Sequence, residues 1–369
     1  MKKILVKNGE VVFADSVQRT DLLIQDGKIA QFGSIQIYDQ LVNAQGLYVL
    51  PALLDIHYHG LFIFPSPERI EKDLKRMQEM LLKRGISGFL AIFPAMEISR
   101  LRECLSALKS GLGKAQAPCA RCLGVHLEGP FLNQDAKGAQ PESAIIDFDP
   151  DSKDMLALLD EGKDLVRIMT FAPEQKYAKQ LVRLLVERKI IPSLGHSQAS
   201  YEQAIEFYEL GAIGITHLFN AMSGVHHRQP GLALAGLVDK RFYREVIVDG
   251  YHLHPGLVRL IWENSPREKF ILVSDFVGDE EPMDEKPPML NPKTLAGSRL
   301  RLIKAVKNLI KFTSATLPQA INCASLYPAK ILGENNLGRI ELQAEANLLL
   351  ADEDLNLKAI IFQGMVIEN

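Results

Sequence analysis

The sequence predicts an α/β chain, a (β/α)8 (TIM) barrel with a small sheet domain formed from both termini. Three observations predict it. Strand-length apolar runs recur eight times between Pro51 and Asp275, amphipathic stretches of helical spacing separate them, and short alternating segments occupy the two ends of the chain. At 369 residues the chain can bury a sizeable core. With 47% hydrophobic and 24% charged residues it has a globular composition, which excludes disordered and collagen-like classes. Its 42 basic and 45 acidic side chains leave a formal charge of −3, with no electrostatic footprint for nucleic acid or a membrane surface.

The first fifty residues read as strands and turns. ILVKNGEVV and DLLIQDGKIAQFG alternate apolar and polar positions around Asn8-Gly9 and Asp26-Gly27, both hairpin signals. The chain ends in the same style, with ANLLLADEDLNL and AIIFQGMVIEN. Residues 1–50 plus 335–369 are therefore expected to form one small sheet domain, the alternative being two separate peripheral hairpins. Residues 51–334 are the expected barrel.

The barrel runs are LLDIH at 53–57, GFLAIFP at 88–94, RCLGVHLE at 121–128, LVRIMTFA at 165–172, IIPSLGH at 190–196, AIGITHL at 212–218, REVIVDG at 244–250 and KFILVSD at 269–275. Most are continuously apolar, as parallel strands buried on both faces require. Helical patterns fall at 68–84, 97–109, 174–188 and 200–210, the last stopping at Gly211. A doubly wound open sheet is the competing architecture, but no glycine-rich dinucleotide fingerprint follows the first run. After Asp275, the acidic, proline-rich FVGDEEPMDEKPPMLNP reads as an exposed loop or lid, followed by helical segments near 299–312 and 316–332.

Polar residues that do not belong in a core collect at the C-terminal ends of these runs. Asp55, His57 and His59 close the first, Glu128 the third, His196 the fifth, His217 the sixth and Asp275 the eighth. In a barrel those ends share one face, where active sites are built. So many imidazoles and carboxylates would be costly to bury together without a shared cation. In an extended segment His57 and His59 point the same way and can reach one metal. Taken singly, Glu128 could be an ion-paired carboxylate, His196 and His217 satisfied core histidines, and Asp275 a loop cap. Imidazole-rich donors favour zinc or iron over magnesium or calcium. Hydrolysis is the chemistry expected, using water acidified to a pKa of about 7, with Asp275 as the acid/base.

Other features carry less. Cys119 and Cys122 form a CxxC with no second pair and read as incidental thiols. Four scattered cysteines, no apolar run of the ~18 residues a span needs, and a start that turns polar too soon for a signal peptide point to the cytoplasm. His226 and His227 read as solvated loop residues and Trp262 as core. Asp249 and His252 follow the seventh run and face the same mouth, while Arg228 lies in the loop after the sixth.

Together these residues resemble the amidohydrolase superfamily and, within it, the N-acetylglucosamine-6-phosphate deacetylases. The resemblance runs along nearly the whole chain, through DIHYHG at 55–60, HLEGPFLN at 126–133, GHSQAS at 195–200, THLFNAM at 216–222, RQPGL at 228–232 and DGYHLHP at 249–255, with TLAGS at 294–298 and SLYPAK at 325–330. It implies a barrel with a small β-sandwich, a homodimer, and removal of acetate from the amide nitrogen of a phosphorylated amino sugar. It also implies that Glu128, His196 and His217 hold one divalent metal, that His57 and His59 hold a second with Glu128 bridging, and that Asp275 is the acid/base. Asn220, the Ala221 backbone, Arg228 and His252 would bind the sugar phosphate, the last two from the neighbouring subunit.

The chain departs from the family in KGAQ at 137–140, where Gln140 stands in place of a sugar-contacting histidine and keeps hydrogen bonding without charge. Phe276 follows the aspartate where alanine is usual, GISGF at 85–89 replaces GTTSF, and the segment from 276 to 293 is short. These changes bear on substrate identity and leave hydrolysis intact. Another amidohydrolase reaction (cyclic amidase, dipeptidase or deaminase) is a second reading, though the fourth run lacks the lysine that many such relatives carboxylate. A catalytically silent scaffold barrel is a third, and it would require a lost ligand or aspartate.

Overall fold

A computed structural model describes residues 3–114, 118–278 and 286–368. The apolar runs form eight parallel barrel strands: Leu53–Gly60, Ile86–Pro94, Arg121–Glu128, Val166–Phe171, Ile191–Leu194, Gly214–Ile215, Tyr243–Val246, and an eighth in two pieces, Phe270–Leu272 and Phe276–Val277. The first piece of the eighth pairs with the seventh strand and the second piece with the first strand, so the sheet closes on itself. Among the contacts that fasten this seam, Asp275 N–H donates to the His57 carbonyl at 3.0 Å, Gly278 N–H to the Gly60 carbonyl at 2.7 Å, and Ser274 N–H to Asp55 Oδ1 at 3.3 Å.

Among the described residues, seven helices alternate with these strands, beginning with Ile70–Lys83, which turns Ile70, Leu74, Met77 and Leu81 onto the barrel. Those spacings of three and four place one apolar stripe inward. Tyr201–Glu209 starts at a capping box between Ser200 and Gln203, and the chain leaves it through Gly211 at φ +109°. A side chain would strain that left-handed turn. The segment expected as one helix over 316–332 is two, Leu317–Cys323 and Leu326–Ile331. Pro328 has no N–H with which to bond the Ala324 carbonyl in a continuous helix. That carbonyl instead accepts from Leu54 N–H of the first barrel strand at 2.8 Å.

The terminal strands form two sheets. Lys3–Lys7, Leu22–Gln25, Lys28–Phe32 and Gln40–Asn43 make one; Glu10–Val12, Val17–Arg19, Tyr48–Pro51, Leu348–Ala351, Leu357–Phe362 and Met365–Glu368 make the other. Ile4, Val6, Leu22 and Ile24 of the first meet Val11, Val49, Leu348 and Leu350 of the second in one apolar layer. The alternate positions Val12, Leu50 and Leu349 face the barrel core, so one sheet seals two interiors. Asp26 and Gly27, at φ 54° and 73°, form the expected two-residue hairpin. Asn8-Gly9 does not: it passes the chain from one sheet to the other, and a Cβ on Gly9 would stand 2.6 Å from Val49 Cγ2. Glycine is there for a close approach between strands.

Among the described residues, no helix is long and apolar enough to cross a membrane. Residues 279–285, the centre of the expected acidic loop or lid, lie outside them.

Candidate metal centre

A cavity of about 420 Å³ opens at the C-terminal ends of the barrel strands. Glu128, the last residue of the third strand, is at its floor. Its Oε1 lies 2.9 Å from His196 Nε2 and 3.1 Å from His217 Nε2, and those two nitrogens are 3.1 Å apart. Its Oε2 lies 3.4 Å from His59 Nε2, while Oε1 is 3.7 Å from His57 Nε2. Asp275 Oδ1 is 3.2 Å from His59 Nε2 and 3.6 Å from His57 Nε2. All six residues are buried.

The backbone delivers three of these side chains by turning sharply where a strand stops. His196, His217 and Asp275 have φ of 47°, 28° and 51°, and Phe219 and Ala221 of the following loop have 76° and 49°. Such left-handed conformations cost non-glycine residues of order 1 kcal/mol or more, and they concentrate where function requires them. The same turns make the fifth and sixth strands shorter than their apolar runs.

The donor set fits a cation. Glu128, His196 and His217 converge within 4.8 Å of one another, as do His57, His59 and Glu128. His57 Nε2 is fully buried, has no hydrogen-bond partner and points among the carboxylates. Burial works against the His57 imidazolium, yet Glu245 at Nδ1, with Glu128 and Asp275 beyond Nε2, raises its pKa to about 10. Burial likewise opposes ionisation of Glu128 and Asp275. For Glu128 the hydrogen bonds from His196 and His217 outweigh it, and for Asp275 the hydrogen bond from His59 and the charges of His57 and His59 do so, holding both carboxyls below their ordinary range. A divalent ion would replace those imidazole protons with its own positive charge.

The expected sugar-side residues divide. Asn220, Ala221, Gln140 and His252 line the cavity. Gln140 is engaged at both ends, accepting from Ala95 N–H at 2.9 Å and donating to Glu128 Oε2 at 2.5 Å. His252 lines the cavity of its own chain, its ring held by Asp249 Oδ2 at 2.7 Å from Nδ1. Arg228 is exposed and lies outside the cavity. Leu290 and Lys293 of the short segment after Asp275 form part of the rim.

Asp55 does not join the cluster. Its Oδ1 accepts from the backbone N–H of His57 and Ser274, so it clamps the barrel seam from behind, and burial lifts its pKa to about 6. The sequence reading passed over Glu245 and His126, which lie in the barrel interior. Glu245 Oε2 is 2.8 Å from His57 Nδ1. His126 Nε2 meets Thr170 Oγ1 at 2.7 Å, which continues through Thr216 to Ser193. The available signal was a carboxylate at the second position of the run REVIVDG, inside the strand rather than at its end, where it needs a buried partner.

Comparison with known proteins agrees with this geometry. Residues 48–367 match the model of the amidohydrolase family. N-acetylgalactosamine-6-phosphate deacetylase of Escherichia coli O157:H7 is 29% identical, over 94% of each chain. N-acetylglucosamine-6-phosphate deacetylase of Lysinibacillus sphaericus is also 29% identical, over 98% of this chain and 97% of its own. The crystal structure of the N-acetylglucosamine-6-phosphate deacetylase of Pasteurella multocida superposes with a TM-score of 0.91 at 28% identity, covering both chains fully. That of Thermotoga maritima gives 0.85 at 30% identity, over 99% of this chain and all of that one. The chain belongs to the amidohydrolase family.

Proposed function

We propose that this protein is a metal-dependent deacetylase that hydrolyses the N-acetyl amide of N-acetylglucosamine 6-phosphate, giving glucosamine 6-phosphate and acetate. The observation that carries the reading is the meeting of four metal-type donors and Asp275 on the wall of a single cavity of sugar size, with a fifth donor, His57, buried directly behind them. Glu128, His196 and His217 would hold one ion, zinc or iron, and His57 and His59 a second. When bound, such an ion polarises the amide carbonyl and lowers the pKa of water to about 7.

The chain's own groups do the rest. Asp275, held ionised at the seam, takes a proton from the attacking water and delivers it to the departing amine. Gln140 donates to Glu128 Oε2 and so fixes the orientation of the carboxylate. His252, oriented by Asp249, faces the cavity as a donor to the sugar or its phosphate; Asp249 outweighs burial and raises its pKa. Asn220 and the Ala221 backbone supply hydrogen bonds beside it. A homodimer would bring Arg228 of a second copy to the phosphate, and four unpaired cysteines suit a reducing cytoplasm.

The galactosamine epimer is the second reading, favoured by the similarity to the N-acetylgalactosamine-6-phosphate deacetylase of Escherichia coli O157:H7. Acetate release from both epimers, with metal quantified on the same sample, tests the proposal. Acetate in proportion to bound metal is the expected result; a metal-loaded protein inert toward both sugars refutes it. Arg228→Ala should raise KM for the phosphorylated sugar about tenfold and leave an unphosphorylated one unchanged. Equal loss on both would remove the phosphate contact.

A further inference from the structure

Beneath the groups that face the cavity lies a charged residue with no role so far. Glu245 is on the seventh barrel strand, fully buried. Its Oε2 sits 2.8 Å from His57 Nδ1, whereas its Oε1 has no hydrogen-bond partner and is 3.8 Å from His126 Nδ1. On the far side of the same imidazole, His57 Nε2 is unpartnered and aimed between Glu128 and Asp275.

We propose that Glu245 is the positioning residue of the inner half of the metal centre, accepting the Nδ1 proton of His57 so that Nε2 is left bare toward the cation. The inference rests on the metal-centre reading above and adds a residue to it. A neutral imidazole carries one proton, and the hydrogen bond at one nitrogen decides which nitrogen can bind a metal. A carboxylate in that place both selects the tautomer and strengthens the ligand, and removing such a partner typically weakens metal binding 10–100-fold. His57 has no freedom to choose otherwise, because its ring is buried with Glu245 on one side and the donor cluster on the other.

Glu245, His57 and His126 also converge closely enough to suggest an ion of their own. The hydrogen bonds speak against it. His126 Nδ1 lies 3.3 Å from the Ile56 carbonyl, which can only accept, so that nitrogen carries a proton and has no lone pair to offer. Glu245 therefore hydrogen-bonds His57 and holds no ion with His126.

The test is a zinc titration of metal-stripped protein, counting bound ions per chain, for the wild type, Glu245→Gln, His57→Ala and the double variant. Thermal stability of each metal-free protein is measured in parallel. Glu245→Gln should weaken the His57-dependent ion 10–100-fold and leave the ion held by Glu128, His196 and His217 within about twofold. It should add nothing in the His57→Ala background. Unchanged affinity in Glu245→Gln, or no weakened ion in His57→Ala, overturns the proposal. So does a loss that persists in the double variant or merely follows metal-free stability, since Glu245 would then be structural. Should Glu245→Gln not fold, ¹⁵N-histidine spectra of the zinc-loaded wild type decide: His57 bound through Nε2 with an exchange-protected Nδ1 proton supports the role, and binding through Nδ1 ends it. No sugar enters these measurements, so failure to deacetylate would count against the function and leave this result standing.

Discussion

The floor and the rim of the cavity are built on opposite terms. Glu128, His196, His217, His57, His59 and Asp275 stand at the ends of barrel strands and are all buried. Phe64 and Leu290 on the rim are loop and hairpin residues, 82% and 59% exposed. Moving a floor donor means displacing a strand paired on both sides, whereas a rim side chain can change with little consequence for the fold. Chemistry is therefore fixed by the sheet, and substrate preference is left to the loops. Two relatives at 29% identity bear the names of sugars that differ only in the configuration of one hydroxyl. Overall likeness does not choose between them.

The sharpest break is at the floor. Asp275→Asn keeps shape and removes the base, so turnover should fall about 10³-fold or more with metal content unchanged. Near-normal turnover would take Asp275 out of the reaction.

The second prediction concerns stability. In the metal-free chain the folded pKa of His57 is about 10 against an ordinary 6.5. Between those values the folded state holds more protons than the unfolded one. The contribution of His57 is thus complete below pH 6.5 and is lost as pH rises toward 10. Asp55, raised to about 6, and His126, lowered to about 4 by burial, act below that window. Urea midpoints of the metal-free protein should fall from pH 6.5 to 10, and metal loading should flatten the decline because the ion replaces the proton. Parallel curves with and without metal would show that His57 does not meet the ion.

Gln140→Leu lies between floor and rim. It leaves the buried Ala95 N–H without its acceptor, costing about 1–3 kcal/mol, and frees Glu128 Oε2. Turnover should drop about 10–100-fold, measurable beside a lowered melting temperature; an unchanged enzyme would make Gln140 a bystander. The smallest effect belongs to the rim, where Phe64→Ala should shift the ratio of kcat/KM between the two epimers a few-fold and leave metal binding untouched. If it altered metal affinity, floor and rim would not be separate.

The barrel was legible because buried parallel strands write themselves as continuous apolar runs, and Arg121–Glu128 has the bounds its run suggested. Glu128, His196, His217 and Asp275 were legible because polar groups at the ends of such runs need a reason to be there. Glu245 was not, because its partner is 188 residues away and nothing in its own segment points to it. Asp55 was misread for the converse reason: it shares the HxH segment but turns toward the backbone of the seam. The Asn8-Gly9 step escaped because a two-residue turn looks alike whether it joins strands of one sheet or of two.

The broken eighth strand has a consequence for folding. Asp275 reaches its place only when residues 274 and 55, 219 apart in sequence, come together at the seam. That is a long-range contact, and closing it costs chain entropy. An arc of seven strands can assemble most of the buried imidazoles and Glu128 but lacks Asp275 in position. The cluster is therefore completed only at ring closure, by the last contact to form around the sheet.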